Sequence, residues 1–137
     1  MPLRPELLAP EGQPDLKVQV GDVWWLPAEL AFSPGGKGRF CLVVALERAV
    51  RSQFPARAHY VAGTTGAAGQ PEIVLEAGEA NLPERTHFRF WLSADIGLPT
   101  LVANGKLRGR LDPGRREEID AAIRASKRTA LKKLVGC

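Results

Sequence analysis

Seven consecutive apolar residues, Phe40-Cys-Leu-Val-Val-Ala-Leu46, constrain the fold more than any other feature of the chain. The run has the length of a strand and is rich in β-formers. It predicts a central strand that is buried on both faces. Further strands are predicted around it: Val20 to Leu26 as a turn feeding a strand, Arg57 to Thr64, Glu72 to Glu76, Arg85 to Leu92, and a last short one over Leu107 to Leu111. Glycine (14) and proline (11) are abundant in the 137 residues, which suits many turns between short strands. Ala28 to Gly38 is predicted as a loop with the turn cluster Ser33-Pro-Gly-Gly-Lys-Gly38, and Gly63 to Pro71 and Ala77 to Pro83 as two more.

The period changes after Leu111. Asp112 offers an N-cap, Pro113 suits a first helical position, and Glu117 and Glu118 suit the first turns. Ile119, Ala122 and Ile123 then recur at helical spacing, predicting a helix that ends near Ser126. Five or six short strands closed by one terminal helix predict a mainly β chain, curled into a small barrel. Residues 1–16 carry Pro2, Pro5, Pro10 and Pro14 and read as an extended leader; 17–128 form the single domain; 129–137 form a basic tail that extends the helix or frays.

No apolar run approaches the roughly 20 residues of a membrane helix. The first residues lack a hydrophobic signal segment, and the expectation is a cytoplasmic protein without a membrane anchor. Cys41 and Cys137 are too few and too far apart for a disulfide framework or a zinc site, so no metal or cofactor is expected. There is no Walker loop, dinucleotide fingerprint or HExxH motif. Charge is uneven. Residues 1–103 hold nine basic and eleven acidic side chains, whereas residues 104–137 hold ten and four. A basic C-terminal third attracts phosphates, or it is a solvated helix face.

The residues that bear chemistry allow two readings each. Arg39, at the mouth of the buried strand, is a phosphate clamp or a structural cation. Thr64 and Thr65, flanked by glycines, are hydroxyls for a site or turn residues. Trp24 and Trp25 point to opposite strand faces, one to the core and the other to a surface or dimer interface. Arg85, His87, Arg89 and Trp91 share one strand face, and Thr86, Phe88 and Phe90 the other. The first set suits a nucleic-acid strand, with Arg on phosphates and Trp on bases, or a solvated edge kept soluble by charge. His87, beside Arg89, is the better functional candidate than His59. Cys41, in mid-strand, is core.

The order of these features, a Gly21-Asp22 opening before aromatics, a Gly-rich loop ending at Arg39, and Val61-Ala-Gly-Thr-Thr at a strand end, resembles the MazF/PemK (Kid-like) family of toxin endoribonucleases. The gaps agree, with 18 residues from Gly21 to Arg39 and 25 from Arg39 to Thr64. The likeness spans roughly residues 19–128. It implies an SH3-like barrel that dimerises and cleaves single-stranded RNA without a metal. It also implies a type II toxin–antitoxin pair, whose antitoxin lays an acidic tail on the RNA groove. Arg39 and Thr64, with Thr65 adjacent, match the catalytic positions, and Arg85, His87, Arg89 and Trp91 stand as substrate-binding candidates. Phe40 stands where the family carries proline, the loop before Arg39 lacks the usual Glu-Gln, and Trp91 occupies the place of an acid found in some members. The alternative is the same barrel without catalysis, acting as a nucleic-acid or protein binding module.

Overall fold

A computed structural model describes residues 18–31, 38–47, 56–66, 70–126 and 129–134. The leader 1–16 and residues 135–137 lie outside the described residues, as does the Ser33–Lys37 part of the first glycine-rich loop. Among the described residues six strands form one antiparallel sheet: β1 (Asp22–Leu26), β2 (Arg39–Glu47), β3 (Arg57–Thr64), β4 (Glu72–Leu75), β5 (Thr86–Gly97) and β6 (Lys106–Arg110), in the order β4-β5-β3-β2-β1-β6. The apolar run of β2 is an interior strand, with Cys41 to Ala45 all buried. The sheet curls into a half-barrel, and C-terminal helices cover its inner face. The fold is mainly β with a helical C-terminus.

Alternation along the strands divides the core in two. On the inner face Val23, Leu42, Val61, Phe88 and Phe90 gather under Ile119, Ala122 and Ile123 of α3 (Arg116–Ala125) and Leu131 of α4 (Thr129–Leu134). On the outer face Trp24, Leu26, Cys41, Val43, Tyr60 and Ile96 gather under Leu98 and Leu101 of α2 (Leu98–Asn104). α1 (Ala28–Ala31) joins this side, where the Tyr60 hydroxyl donates to the Leu30 carbonyl. Full burial of each of these aromatic or aliphatic side chains stabilises the fold by about 1.5–3 kcal/mol. Cys41 is a buried free thiol, and burial pushes its pKa upward, so it stays neutral.

Three local differences from the sequence reading have physical causes. Ala28–Ala31 turns once as α1 inside the predicted loop. β5 runs on to Gly97 because Ser93 to Gly97 pair with the first half of β3, across a register shift between Val61 and Gly63. Asp112 caps a 3-10 turn, Pro113–Arg115, through the Gly114 N–H at 2.8 Å, and α3 begins only at Arg116.

The free edges of the half-barrel, β4 and β6, are joined through the 3-10 turn Glu79–Asn81. Gly109 of β6 lies against the Ala80 backbone, where an added Cβ would come within 2.5 Å of the Ala80 carbonyl oxygen. The Asn81 amide donates to the Arg108 carbonyl at 2.8 Å. Arg115 then clasps the turn. Its guanidinium donates to the Glu79 carboxylate at 2.8 and 3.0 Å, to Glu118 at 2.7 and 2.9 Å, and to the Val74 carbonyl at 2.8 Å.

Where β1 pairs with β6, Asp22 is fully buried. Its carboxylate accepts from the Gln19 N–H at 2.9 Å, the Trp24 indole N–H at 3.4 Å and Arg110 Nε at 2.8 Å. Gly21 before it has φ +100°, which a side chain would resist, and its N–H and C=O pair with Val43 and Leu111.

Two outcomes are expected. Asp22→Ala strands a buried indole and an amide and releases the half-exposed Arg110, and should cost about 3 kcal/mol in urea unfolding, against about 1 kcal/mol for Asp112→Ala at its exposed cap. The Glu76 amide and Arg115 hold the Glu79 carboxyl below its usual pKa, and Arg115 does the same for Glu118. Stability from these depressed carboxylates is complete above the unfolded-state value of about 4.3 and is lost as pH falls through the folded values. Arg115→Met should therefore flatten the acid limb of a stability–pH profile.

Candidate functional site

The strand register brings three sequence-distant residues into one row. Cys41 pairs with Ala62 and Leu42 with Val61, and the same register two residues on sets Arg39 level with Thr64. Thr64 in turn pairs with His87 of β5, and His87 with Val74 of β4. Directly opposed residues of an antiparallel ladder present side chains to the same face, so Arg39, Thr64 and His87 share the outer face. Arg89, two residues along β5, joins them and stands opposite Glu72. Thr86, Phe88 and Phe90 alternate to the inner face and are buried there, as the sequence pattern requires.

Arg39 is half-buried and donates from Nη1 to the Gly63 carbonyl at 3.1 Å, which ties it to the end of β3. Gly63 is needed for close approach: a Cβ there would lie 2.6 Å from Thr86 Cγ2 and 3.2 Å from the Phe40 carbonyl oxygen. Thr64 accepts the Gly66 N–H at 3.2 Å, a hydroxyl turn that leaves its own O–H as a donor. Thr65 is exposed.

His87 has a partner that sequence reading did not find. Its Nδ1 lies 3.2 Å from both carboxylate oxygens of Glu72, and both side chains are largely buried, 17% and 11% exposed. An ionised carboxylate only accepts, so the contact places the ring proton on Nδ1 and leaves Nε2 as the lone-pair nitrogen of the neutral ring. A single Glu at a strand start carries no sequence signal of this; the pairing exists only through the β4–β5 register. Burial, and then the neighbouring Arg39 guanidinium, hold the pKa of Arg89 below the usual arginine value. Two cations crowd one face, and an anion between them relieves that repulsion.

Arg85 and His59 fall elsewhere. Arg85 precedes β5, is exposed, and pairs with Glu76 at 3.4 Å. Trp91 is a β5 position, and its side chain lies outside the described ones. His59 sits on the inner face, with Nε2 3.0 Å from Glu47, far along β3 from Thr64. Among the described residues no three His, Cys, Asp or Glu side chains gather as a metal site, and no helix is long and apolar enough to cross a membrane.

With this geometry the fold can be compared with known structures. A chain in the crystal structure of MazE-MazF (Form-II) from Deinococcus radiodurans matches 87% of this chain and 95% of its own length, with a TM-score of 0.51 and 16% sequence identity. The likeness is one of fold. No protein-family model and no curated protein matches the sequence.

The paired guanidinium groups should bind a tetrahedral oxyanion. Inorganic phosphate at ten times its Kd stabilises a binding protein by about 1.4 kcal/mol. The wild-type Tm should rise by a few degrees, and Arg39→Ala and Arg89→Ala should each lose that rise.

Proposed function

We propose that this protein is a toxin-type endoribonuclease that cleaves single-stranded RNA through the 2′-hydroxyl, without a metal. The observation that carries the reading is the row Arg39, Thr64, His87, assembled on one face from three strands, with Arg89 beside it and Glu72 behind the imidazole. The fold shared with a chain of a toxin–antitoxin complex supports it.

Cleavage of this kind needs a proton taken from the 2′-oxygen, stabilised charge on the phosphate as the new P–O bond forms, and a proton given to the leaving 5′-oxygen. A 2′,3′-cyclic phosphate and a 5′-hydroxyl end result. Arg39 and Arg89 suit the phosphate, as always-charged forks of donors. For the same reason neither suits the role of base. His87 does: Glu72 orients the ring through Nδ1, and Nε2 takes or returns the proton. Thr64 donates a hydrogen bond to a phosphate oxygen, with Thr65 as its neighbour on the turn. Trp91, further along β5, stacks a base, and Arg85 adds a peripheral cation. The protein acts as a homodimer and is restrained in the cytoplasm by an antitoxin. That partner's acidic tail competes with RNA for the same cations.

The second reading, a binding barrel without catalysis, keeps the cations and makes the His87–Glu72 pair structural. Purified protein incubated with mixed RNA in EDTA distinguishes them, with the ends of the products mapped. The proposal expects cyclic-phosphate ends. Arg39→Ala should abolish them with Tm changed by only a few degrees, since a partly exposed surface cation contributes little to stability. Thr64→Ala should lower the single-turnover rate far more than Thr65→Ala, and His87→Ala and Glu72→Gln should lower it while leaving RNA affinity nearly intact. RNA bound but never cut sinks the ribonuclease and favours the binding module.

A further inference from the structure

The inner face of the sheet carries a second basic site at its open end. Phe40 of β2 pairs with Trp25 of β1, and Trp25 with Lys106 of β6, so one row crosses three strands. Adjacent strands lie about 4.8 Å apart, and the row spans about 10 Å. Arg108 sits at the register shift between β1 and β6, and its guanidinium lies over the Phe40 ring, 5.7 Å from the centroid. Its Nη2 also donates to the Asn81 carbonyl at 3.3 Å. Together Trp25, Phe40, Lys106 and Arg108 line an open groove of about 340 Å³.

We infer that this groove binds one unpaired nucleotide of single-stranded RNA, its base against the Trp25 and Phe40 rings and its phosphate held by Lys106 and Arg108. Among the described residues the lining is two aromatic rings and two cations, with no carboxylate. An acidic peptide would use only the cations, and a duplex keeps its bases stacked away from side chains; a free base uses both halves of the groove. Trp25 is also held ready. A Cβ on Gly38 would fall 2.2 Å from its Cζ2, so the indole lies directly on bare backbone and is braced on that side. The groove is not the row around Thr64. Arg39 and Phe40 are consecutive in β2 and face opposite sides of the sheet, which sets the two sites back to back at the mouth of one strand. A strand of RNA entering both must pass around that edge.

The choice of RNA rests on the ribonuclease reading, and the experiment separates the two. The probe is a 2′-O-methyl octanucleotide, which has no free 2′-hydroxyl to react, titrated by fluorescence anisotropy at several salt concentrations. Trp25→Leu should weaken binding about 5- to 100-fold with the log–log salt slope unchanged, and Trp25→Phe should restore most of it. Replacing both Lys106→Gln and Arg108→Gln, two exposed side chains, should make the slope shallower by about 1.4. The Trp25→Leu loss should persist in an Arg39→Ala background. Unchanged affinity in Trp25→Leu together with an unchanged slope in the double variant overturns the groove, while a remaining Arg39 effect leaves the ribonuclease reading standing. A wild type that ignores the octanucleotide at low salt overturns both. Groove-dependent binding of polyglutamate but not of the octanucleotide overturns the nucleotide site in favour of an acidic protein.

Discussion

The buried carboxylate of Asp22 is the constraint on which the rest of the sheet depends. An acid with no exposure is tolerable only when its oxygens are occupied, and here an amide, an indole and a guanidinium occupy them. Those three donors come from the chain entering β1, from β1 itself and from the far end of β6. The acid therefore fixes the pairing of the first strand with the last. That pairing makes β1 an interior strand and gives Trp24 one core and Trp25 the other face.

Two junctions of the curl, β1 with β6 and the Glu79–Asn81 turn with its neighbours, are held by different chemistry. The Asp22 side uses a charge drawn into the interior. The junction at Glu79–Asn81 uses Arg115, which exhausts its donors on two carboxylates and a carbonyl near the surface, and a glycine that lets backbone lie on backbone. Between them the inner face fills with Phe88, Phe90, Leu42 and the helix residues. Among the described residues α1 and α2 cover part of the outer face. The half-buried cations and His87 sit at the other end of that face, so packing and chemistry occupy separate lengths of the same strands.

Most of the sheet was legible in the sequence because its strands announce themselves. The run from Phe40 to Leu46 and the β-formers from Arg57 to Thr64 lie within one or two residues of the observed ends, and alternation around Phe88 sorts the β5 side chains correctly. The helix Leu98–Asn104 was not legible. Gly97, Pro99 and Gly105 punctuate it as though it were a loop, and it is helical because Leu98 and Leu101 find the outer core. Strand ends that depend on partners, such as Ser93 to Gly97, were likewise invisible. The candidate site divides in the same way. Arg39 and Thr64 stand out through the resemblance and His87 and Arg89 through their shared strand face, and their convergence adds geometry to that list. Glu72 was missed, because what distinguishes it from other surface glutamates is the strand opposite. Arg85 was read as part of a strand face and belongs to the turn before it.

The hydrogen bond from Arg39 to the Gly63 carbonyl carries a consequence for how this site can vary. Its acceptor belongs to the main chain, so no substitution along β3 can delete it. Side chains around the arginine are free to drift, taking specificity with them, while the cation stays moored as long as the strand keeps its path. Gly63 itself is the exception, since any Cβ there pushes on Thr86 and Phe40 and moves the mooring. Divergence at this site is thus channelled away from the position of the charge and into the surfaces that surround it.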